Sequence, residues 1–300
     1  MIKKGLSRLG IFFLYLISLL PFWFLYLISD FLFIIIYYLI GYRRKVVQQN
    51  LANAFPEKTQ QERAGIERKY YRYLSDLIVE VLKMTTISGK EVARRVNVLN
   101  PEVMNAAFEN GKSIIGAVGH YGNWEMGALR LSQLTDKRRI IIYKPVNNEV
   151  SDKWFFSMRS RFGATLVPMK STLRKFAEYR NELTFSVLVS DQTPVREEVQ
   201  YFTQFLNQPT AVFLGIEKLS KIIDCVVIFC DVRRVKKGYY QCTFVPLIDN
   251  PKQTAPYEIT EAHVRYLEKV IREEPEYWLW SHRRWKFKPE DVIKNERTTT

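Results

Sequence analysis

The chain is 300 residues long, carries a formal net charge of +14 and is 14% aromatic. That length allows one large domain or two small ones with a sizeable core. The excess of lysine and arginine predicts an anionic partner, which is nucleic acid, an acidic protein or a phospholipid surface. Because no nucleic-acid recognition motif accompanies the charge, we expect no nucleic-acid partner.

Motifs that identify several other enzyme classes are missing from the sequence. It contains no HExxH, P-loop, GxGxxG or GxSxG segment, and its three histidines are scattered. We therefore expect no metal site and no bound cofactor. The three cysteines, Cys225, Cys230 and Cys242, lack CxxC spacing and are expected to be buried thiols in a reducing compartment.

The first predicted element is an apolar run at residues 9–42, which contains one charged residue, Asp30. Residues 9–29 alone supply the roughly 20 apolar residues that a membrane span needs, and Trp23 suits the headgroup level. The run is too long for a signal peptide. We therefore predict an N-terminal membrane anchor at residues 1–45 and one catalytic domain at residues 46–300.

The topology of this anchor stays open in the sequence. Lys3, Lys4 and Arg8 precede the apolar run and the basic residues 43–45 follow it, so the charge distribution does not choose an orientation. Pro21 interrupts the run and allows a re-entrant hairpin with both ends on one face of the membrane. A single tilted span is the alternative.

The next elements are those of an α/β domain. Apolar residues recur at helical spacing over residues 60–84, behind a T-x-x-E capping box at Thr59 and Glu62. Strand-like runs lie at 113–119, 139–144, 164–169, 185–190, 225–232 and 239–247, and helix-like segments at 124–134, 150–162, 172–180, 211–223 and 258–273, before a frayed tail at 295–300. This alternation predicts a largely parallel mixed sheet flanked by helices.

The segment AVGHYGNWEMG, residues 117–127, places a histidine and a carboxylate at the end of a strand-like run. Ligand sites of open α/β sheets lie at the carboxyl ends of strands, and Gly119 and Gly122 permit a tight turn there. We expect Glu125 to orient His120, which then acts as a general base on a substrate hydroxyl. Taken alone, this spacing also fits a histidine without a catalytic role.

Several segments together resemble one protein family. The H-x4-E block in a basic, membrane-attached α/β chain resembles the lysophospholipid acyltransferase superfamily. The closer resemblance is to its lipid A biosynthesis late acyltransferase branch, the lauroyl and myristoyl transferases. The segments that carry it are GYRRKVVQQNLANAFPEKTQQER, GAVGHYGNWEMGAL, RFGATLVP, LVSDQTP and EPEYWLWSHRRWKF. They extend over roughly residues 8–288.

The resemblance implies transfer of a fatty acyl chain from acyl carrier protein to a hydroxyl of a lipid A precursor or a related anionic glycolipid. In that scheme His120 deprotonates the hydroxyl, Glu125 orients His120, and the hydroxyl attacks the thioester without a covalent enzyme intermediate. The resemblance also implies residence in the bacterial inner membrane, with the catalytic domain facing the cytoplasm. It implies no cofactor besides the acyl donor.

The same blocks contain further polar residues that the resemblance marks as substrate-binding. Arg159 or Arg161 is expected to hold a phosphate or the developing oxyanion, unless both lie on a solvated helix face. Asn123, Asp191 and Gln192 are expected to bind the substrate or to shape its pocket.

Two further segments leave alternatives open. Asn207 and Gln208 stand where the family usually has an arginine. The basic and aromatic residues 282–288 are expected to dock the acidic carrier protein or lipid phosphates, unless the aromatic residues pack beneath solvated arginines. The alternative functions are acyl transfer to another glycolipid or lysolipid, hydrolysis by the same dyad, and non-catalytic lipid binding at the membrane.

Overall fold

The structure is a computed structural model that describes residues 2–290. The helices are α1 (Ile2–Leu19), α2 (Phe22–Phe33), α3 (Arg44–Ala54), α4 (Gln60–Lys83), α5 (Gly89–Arg95), α6 (Glu102–Glu109), α7 (Trp124–Leu131), α8 (Glu149–Ser160), α9 (Thr172–Glu178), α10 (Gly215–Ile223) and α11 (Glu258–Glu273). The strands are β1 (Val96–Val98), β2 (Ile114–Val118), β3 (Arg138–Tyr143), β4 (Thr165–Pro168), β5 (Thr184–Val189), β6 (Tyr201–Phe205), β7 (Gln208–Val212), β8 (Val226–Lys236) and β9 (Tyr239–Ile248). The tail predicted at 295–300 lies outside the described residues.

Seven of these strands form one sheet in the order β1-β9-β8-β2-β5-β3-β4. Neighbouring strands run parallel, except for the antiparallel pair of β8 and β9. The predicted α/β fold with a largely parallel mixed sheet is therefore confirmed. Strands β6 and β7 pair with each other as a separate antiparallel hairpin.

Both faces of the sheet are covered, as its apolar strands require. Alternate residues of the central strand β2 enter two different cores: Ile115 and Ala117 belong to one, and Ile114 and Val118 belong to the other. This division follows from the alternation of side chains along a strand. Packing on both faces holds the carboxyl end of β2 in place, and the candidate site lies just beyond it.

One predicted helix begins later than expected. The helix predicted at 211–223 starts at Gly215, and the residues before it form strand β7. The turn ahead of β7, at Leu206 and Asn207, has φ angles of 52° and 61°, and asparagine tolerates this region better than most residues. That turn lets β6 and β7 pair, which draws Ala211 and Val212 into the hairpin. The other predicted elements lie within a few residues of their expected bounds.

Helix α4 begins as the capping box predicts. The Thr59 hydroxyl accepts a hydrogen bond from the Glu62 N–H at 3.2 Å, and the Glu62 carboxylate accepts from the Thr59 N–H at 2.7 Å. These reciprocal bonds satisfy two of the backbone donors that a helix start leaves unpaired.

The N-terminal apolar run forms α1, α2 and a π-helical continuation, Ile34–Leu39. Helix α2 packs along α4 and buries Leu25, Ser29 and Phe33. By length and composition alone, one helix of the described chain, Phe22–Leu39, suffices to cross a membrane, and 28% of it is buried. The boundary predicted near residue 45 stays a prediction.

Candidate active site

The candidate site lies where two adjacent parallel strands end. Strands β2 and β5 pair so that Val118 lies beside Val189, and His120 and Asp191 each follow two residues later. Paired positions of parallel neighbours lie side by side, so the two side chains meet just beyond the strands. His120 therefore occupies the turn between β2 and α7, at the carboxyl edge of the sheet.

Gly122 makes this turn possible. Its φ is +55°, and a Cβ atom there would lie 2.1 Å from the carbonyl oxygen of Val232. Its N–H donates to the Tyr277 carbonyl at 3.0 Å, and its own carbonyl accepts from the Tyr73 hydroxyl. The backbone conformation and the close packing both exclude a side chain at this position.

Asp191 holds His120 through both carboxylate oxygens. Oδ1 lies 2.6 Å from His120 Nδ1, while Oδ2 accepts from the His120 backbone N–H at 2.9 Å and from Trp278 Nε1 at 2.7 Å. Burial alone would raise the pKa of Asp191, but the charge and hydrogen bonds of His120 and the Trp278 donor lower it to about 2. Asp191 is therefore an anion at neutral pH.

These contacts assign the protonation of the neutral imidazole. Nδ1 faces the Asp191 carboxylate, which only accepts hydrogen bonds, so Nδ1 carries the proton. Nε2 lies 3.1 Å from Nε2 of Gln192, whose amide donates to the free lone pair. The Trp124 ring packs edge-on against the imidazole at 4.8 Å between centroids. Nε2 is therefore the atom of His120 that can accept a proton from a substrate.

Glu125 contacts a different partner from the one expected. Its carboxylate accepts one hydrogen bond from Arg159 Nε at 2.8 Å and a second from Arg159 Nη2. The predicted hydrogen bond from His120 to Glu125 is not formed. Glu125 lies in the first turn of α7 and its carboxylate accepts from Arg159 of α8, while Asp191 contacts His120 Nδ1. A catalytic role for Glu125 stays a prediction.

The Glu125–Arg159 pair is mostly shielded from solvent. The two side chains are 11% and 19% exposed. Burial alone would lower the pKa of Arg159, but the hydrogen bonds and charge of Glu125 raise it above its ordinary value. Arg159 is therefore a fixed positive charge held in a bidentate geometry.

Arg161 does not join Arg159 in this pair. Its Nη1 donates to the Met84 carbonyl at 2.6 Å, at the end of α4. Burial lowers the pKa of Arg161. Of the two arginines considered from the sequence, Arg159 is the one that contacts α7.

Asn123 supports the start of α7 from inside the protein. Its Oδ1 accepts from the Met126 N–H at 2.9 Å, as a helix cap does, and its Nδ2 donates to Glu80 Oε2 at 2.8 Å. The side chain is fully buried. A direct role in substrate binding stays a prediction, whereas its capping role is visible in the geometry.

Sequence reasoning missed Glu80. This fully buried carboxylate also accepts from the Tyr240 hydroxyl at 2.6 Å and from the Tyr26 hydroxyl of α2 at 3.0 Å. Burial raises the pKa of Glu80, against the opposing effect of the Tyr240 and Asn123 hydrogen bonds. The only signal in the sequence was a carboxylate inside the apolar stripe at 60–84. Its contacts link α2, α4, β9 and the cap of α7.

Residues 277–288, which we call the C-terminal segment, contact the turns that carry His120 and Asp191. The Leu279 N–H donates to the His120 carbonyl at 3.1 Å, and His282 Nε2 accepts from the Thr193 N–H at 3.1 Å. Burial lowers the pKa of His282 to about 4, so this second imidazole is neutral. The sequence pointed to the segment, but not to Trp278 as a hydrogen-bond donor to Asp191.

The basic residues at 282–288 divide into buried and exposed ones. Arg284 is 3% exposed and donates to the Ala211 carbonyl at 2.7 Å, and burial lowers its pKa to about 10. Trp285 donates to the Thr210 hydroxyl at 2.7 Å. Arg284 and Trp285 thus hold the β6–β7 hairpin, whereas Arg283 is exposed and remains a candidate for docking.

A groove of about 830 Å³ lies between this C-terminal segment and α3. Its charged lining residues are Lys45, Arg283, Lys286, Lys288 and Glu290. The lining therefore carries four positive charges against one negative charge, which favours an anionic ligand.

Asn207 and Gln208 tether the hairpin to helix α3. Asn207 Nδ2 donates to the Ala54 carbonyl at 3.0 Å, and Gln208 Oε1 accepts from Asn53 Nδ2 at 2.9 Å. These contacts give both residues a structural task. Gln208 also lines the basic groove.

Within residues 2–290, no cluster of three or more His, Cys, Asp or Glu side chains has the arrangement of a metal site. The expectation of no metal and no cofactor stays a prediction. Cys225, Cys230 and Cys242 are free and buried, and burial raises the pKa of each thiol. Buried, protonated thiols are poor nucleophiles.

The fold and the site define an α/β protein with a carboxylate-held imidazole at the carboxyl edge of its sheet, an arrangement suited to acid–base chemistry. Residues 1–287 match the family of bacterial lipid A biosynthesis acyltransferases. The chain belongs to this family, as its sequence blocks indicated.

Two relatives agree with this assignment. A lipid A biosynthesis acyltransferase of Haemophilus influenzae is 25% identical over 277 residues, which cover 91% of this chain and 85% of the relative. The lipid A biosynthesis lauroyltransferase of Escherichia coli K12 is 25% identical over 297 residues, which cover 97% of this chain and 94% of the relative.

Proposed function

We propose that the protein is a membrane-bound O-acyltransferase that moves a fatty acyl chain from acyl carrier protein to a hydroxyl of a lipid A precursor. One observation supports this most strongly: in a chain of the lipid A acyltransferase family, His120 has Nδ1 held by Asp191 and Nε2 directed to a neutral amide. That geometry suits a general base that acts on a substrate hydroxyl.

The reaction proceeds by direct attack. His120 Nε2 takes the proton of the acceptor hydroxyl while the hydroxyl oxygen attacks the thioester carbonyl carbon. The tetrahedral intermediate then collapses, the carbon–sulfur bond breaks, and the thiolate of the carrier takes the proton from the imidazolium. The net change is one ester formed, one thioester broken and one thiol released, with His120 restored.

Asp191 stabilises the imidazolium that forms during this step. Its carboxylate lies 2.6 Å from Nδ1 and is fixed by the Trp278 and His120 N–H donors. A fixed carboxylate keeps the imidazole in the productive tautomer and needs no reorganisation when charge develops.

Glu125 acts in this scheme through Arg159. The bidentate pair joins α7 to α8, and Glu125 follows Trp124, whose ring contacts His120. Arg159 then stabilises the negative charge that develops on the thioester oxygen or binds a phosphate of the lipid. This replaces the role of imidazole orientation that the sequence suggested for Glu125.

Charge and the family support the proposed donor, acceptor and location. Acyl carrier protein and a phosphorylated glycolipid are both anionic, and the chain carries a net charge of +14. The apolar N-terminal helices support attachment to the bacterial inner membrane, and a donor of cytoplasmic origin supports a catalytic domain on the cytoplasmic side.

The experiment that tests this function supplies purified protein with acyl carrier protein loaded with a fatty acid and with a lipid A precursor in detergent. Mass spectrometry of the products distinguishes the functions: acylated lipid is expected, free fatty acid indicates a hydrolase, and no turnover indicates a non-catalytic lipid-binding protein. Lipid mass spectrometry of a deletion strain then identifies the acceptor and the length of the acyl chain.

A further inference from the structure

Both ends of the apolar N-terminal run are tied to the catalytic domain. At the first end, Lys4 pairs with Glu149 of α8 at 2.7 Å. At the other end, Arg43 donates to the Ser281 carbonyl at 3.0 Å. A single membrane span would separate its two ends by about 30 Å of hydrocarbon, yet here both ends contact the same domain.

The middle of the run is tied to α4 by polar contacts. The Tyr26 hydroxyl donates to Glu80 at 3.0 Å, and the Ser29 hydroxyl donates to Asp76 at 2.6 Å. One turn before α2, Lys83 donates to the carbonyl of Ser18. Tyr26 and Ser29 are three residues apart and lie on the same side of α2.

Asp30, the single charge of the apolar run, completes this polar side. It pairs with Arg72 of α4 at 2.9 Å and with Lys237 of the β8–β9 turn at 3.2 Å. The three side chains are 47%, 49% and 36% exposed. They therefore need water or headgroups beside them.

Large apolar side chains are exposed along α1, α2 and the π-helical continuation. Six of those that no part of the described chain covers are Phe12 (54%), Trp23 (66%), Leu27 (58%), Phe31 (64%), Leu39 (75%) and Ile40 (68%). We call these six residues the apolar face. Exposed apolar residues in this number indicate a surface that binds a partner, and a membrane is one such partner.

A transmembrane position for α2 conflicts with the polar side. If Phe22–Leu39 crossed the bilayer, Arg72 and Lys237 would enter the hydrocarbon with it. Each charged side chain at the centre of a bilayer costs about 2.5–3.5 kcal/mol on insertion scales. A helix that lies in the interface instead buries its apolar side roughly 5–10 Å deep and leaves its polar side outside.

We infer that the N-terminal helices insert into one leaflet from the cytoplasmic side and that the chain does not cross the membrane. The partner of the apolar face is an anionic phospholipid monolayer. Basic residues flank both ends of the run: Arg8 is exposed on α1, and Lys45 and Lys286 line the basic groove beyond the other end. This inference rests on the membrane attachment in the proposed function and selects the hairpin over the span.

The sidedness of two introduced cysteines tests the topology. Arg8→Cys and Glu57→Cys place thiols before and after the run, and the three native cysteines are buried and give little background. A membrane-impermeant maleimide is applied to right-side-out and inverted inner-membrane vesicles. Both thiols should react in the same vesicles. Reaction of Arg8→Cys in one orientation and of Glu57→Cys in the other would overturn the inference.

Charge substitutions test the apolar face itself. Leu27→Asp and Phe31→Asp should each lower binding to vesicles of phosphatidylethanolamine and phosphatidylglycerol (3:1) by at least about tenfold, because burial of the leucine or phenylalanine side chain is worth about 1.5–3 kcal/mol. Ile222→Asp is the matched control, since Ile222 is 62% exposed on α10. Equal binding of all three folded variants would contradict the inference.

The outcomes separate this inference from the proposed function. Acyl transfer is measured in detergent with the wild-type protein, where membrane topology plays no part. Active protein with thiols on opposite sides would overturn the topology alone. Inactive protein with both thiols on one side would overturn the function and leave the topology standing.

Discussion

The two sides of the turn that carries His120 use their carboxylates in different ways. On the side of β5, Asp191 binds the imidazole and two further donors lock it in place. On the side of α8, Glu125 binds Arg159 and forms no hydrogen bond with the imidazole. Glu125 is five residues from His120 and Asp191 is 71 residues away. The carboxylate that contacts the base is thus the one set by the pairing of strands, not the one nearest in sequence.

This difference has a physical cause. Neighbouring parallel strands bring paired positions together whatever the length of chain between them, and Val118 pairs with Val189. Glu125, by contrast, lies in the first turn of α7, and the helix sets the direction of its side chain. The Glu125 carboxylate therefore pairs with Arg159 of α8. The comparison predicts different effects for substitutions on the two sides.

Loss of the base itself should have the largest effect. His120→Ala should lower acyl transfer by at least about two orders of magnitude, since general-base catalysis is typically worth about 10²–10⁴-fold. Transfer is measured by mass spectrometry with acyl carrier protein and the lipid acceptor. Circular dichroism and vesicle binding verify that the variant is folded and attached. Near-normal transfer by a folded variant would contradict the mechanism.

Asp191→Asn should have the next largest effect. An asparagine amide can donate to Nδ1 and stabilise the wrong tautomer, and the analogous change in a serine protease triad costs about 10⁴-fold in turnover. We expect a loss of at least 10²-fold in kcat, with little change in acceptor KM. Asp231→Asn, which alters another buried aspartate of the sheet, is the control. Asp191→Asn should also add little to the effect of His120→Ala.

Glu125→Gln should act through Arg159. The substitution removes the charge that holds the guanidinium, so we expect a loss of about 10-fold or more in transfer and a lower melting temperature, because Arg159 loses its partner. Arg159→Lys should give a comparable loss, since lysine lacks the bidentate fork. The double variant should be scarcely worse than either single variant. Additive losses would show that Glu125 and Arg159 act separately.

Much of the fold was predictable from the sequence, because periodicity and capping are local. The capping box at Thr59 and the helix at 258–273 are present as predicted. The site was predictable only in part. His120 follows from a strand end, whereas its contact with Asp191 depends on which strands are neighbours, and a sequence does not state the order of strands. The hairpin of β6 and β7 escaped detection because two adjacent residues adopt positive φ.

The smallest effect on transfer is expected for a change at His263, a buried histidine that forms no hydrogen bond with a carboxylate in the described structure. His263 of α11 is fully buried with Nε2 unpaired in the described structure, and burial lowers its pKa from 6.5 to about 4. The unfolded chain therefore binds the extra proton between pH 6.5 and 4, and stability should fall as pH falls through that range. At about 1.4 kcal/mol per pKa unit the loss amounts to about 3–4 kcal/mol.

Urea denaturation at several pH values measures this effect. His263→Leu should reduce the dependence of the unfolding free energy on pH between 6.5 and 4, whatever it does to the absolute stability. His282, whose pKa burial also lowers to about 4, should account for part of the dependence that remains. Transfer at neutral pH should change little for the folded variant. An unaltered pH dependence would show that His263 does not titrate in this range.

The most direct test of the account is the ring nitrogen spectrum of His120, recorded by NMR on protein labelled with 15N-histidine and assigned with His120→Ala. In the neutral imidazole the proton should reside on Nδ1, Asp191→Asn should shift or abolish this pattern, and Glu125→Gln should leave it unchanged. A proton on Nε2 in the wild-type protein, or an equal response to Glu125→Gln, would contradict the assignment of Asp191 as the residue that holds the base.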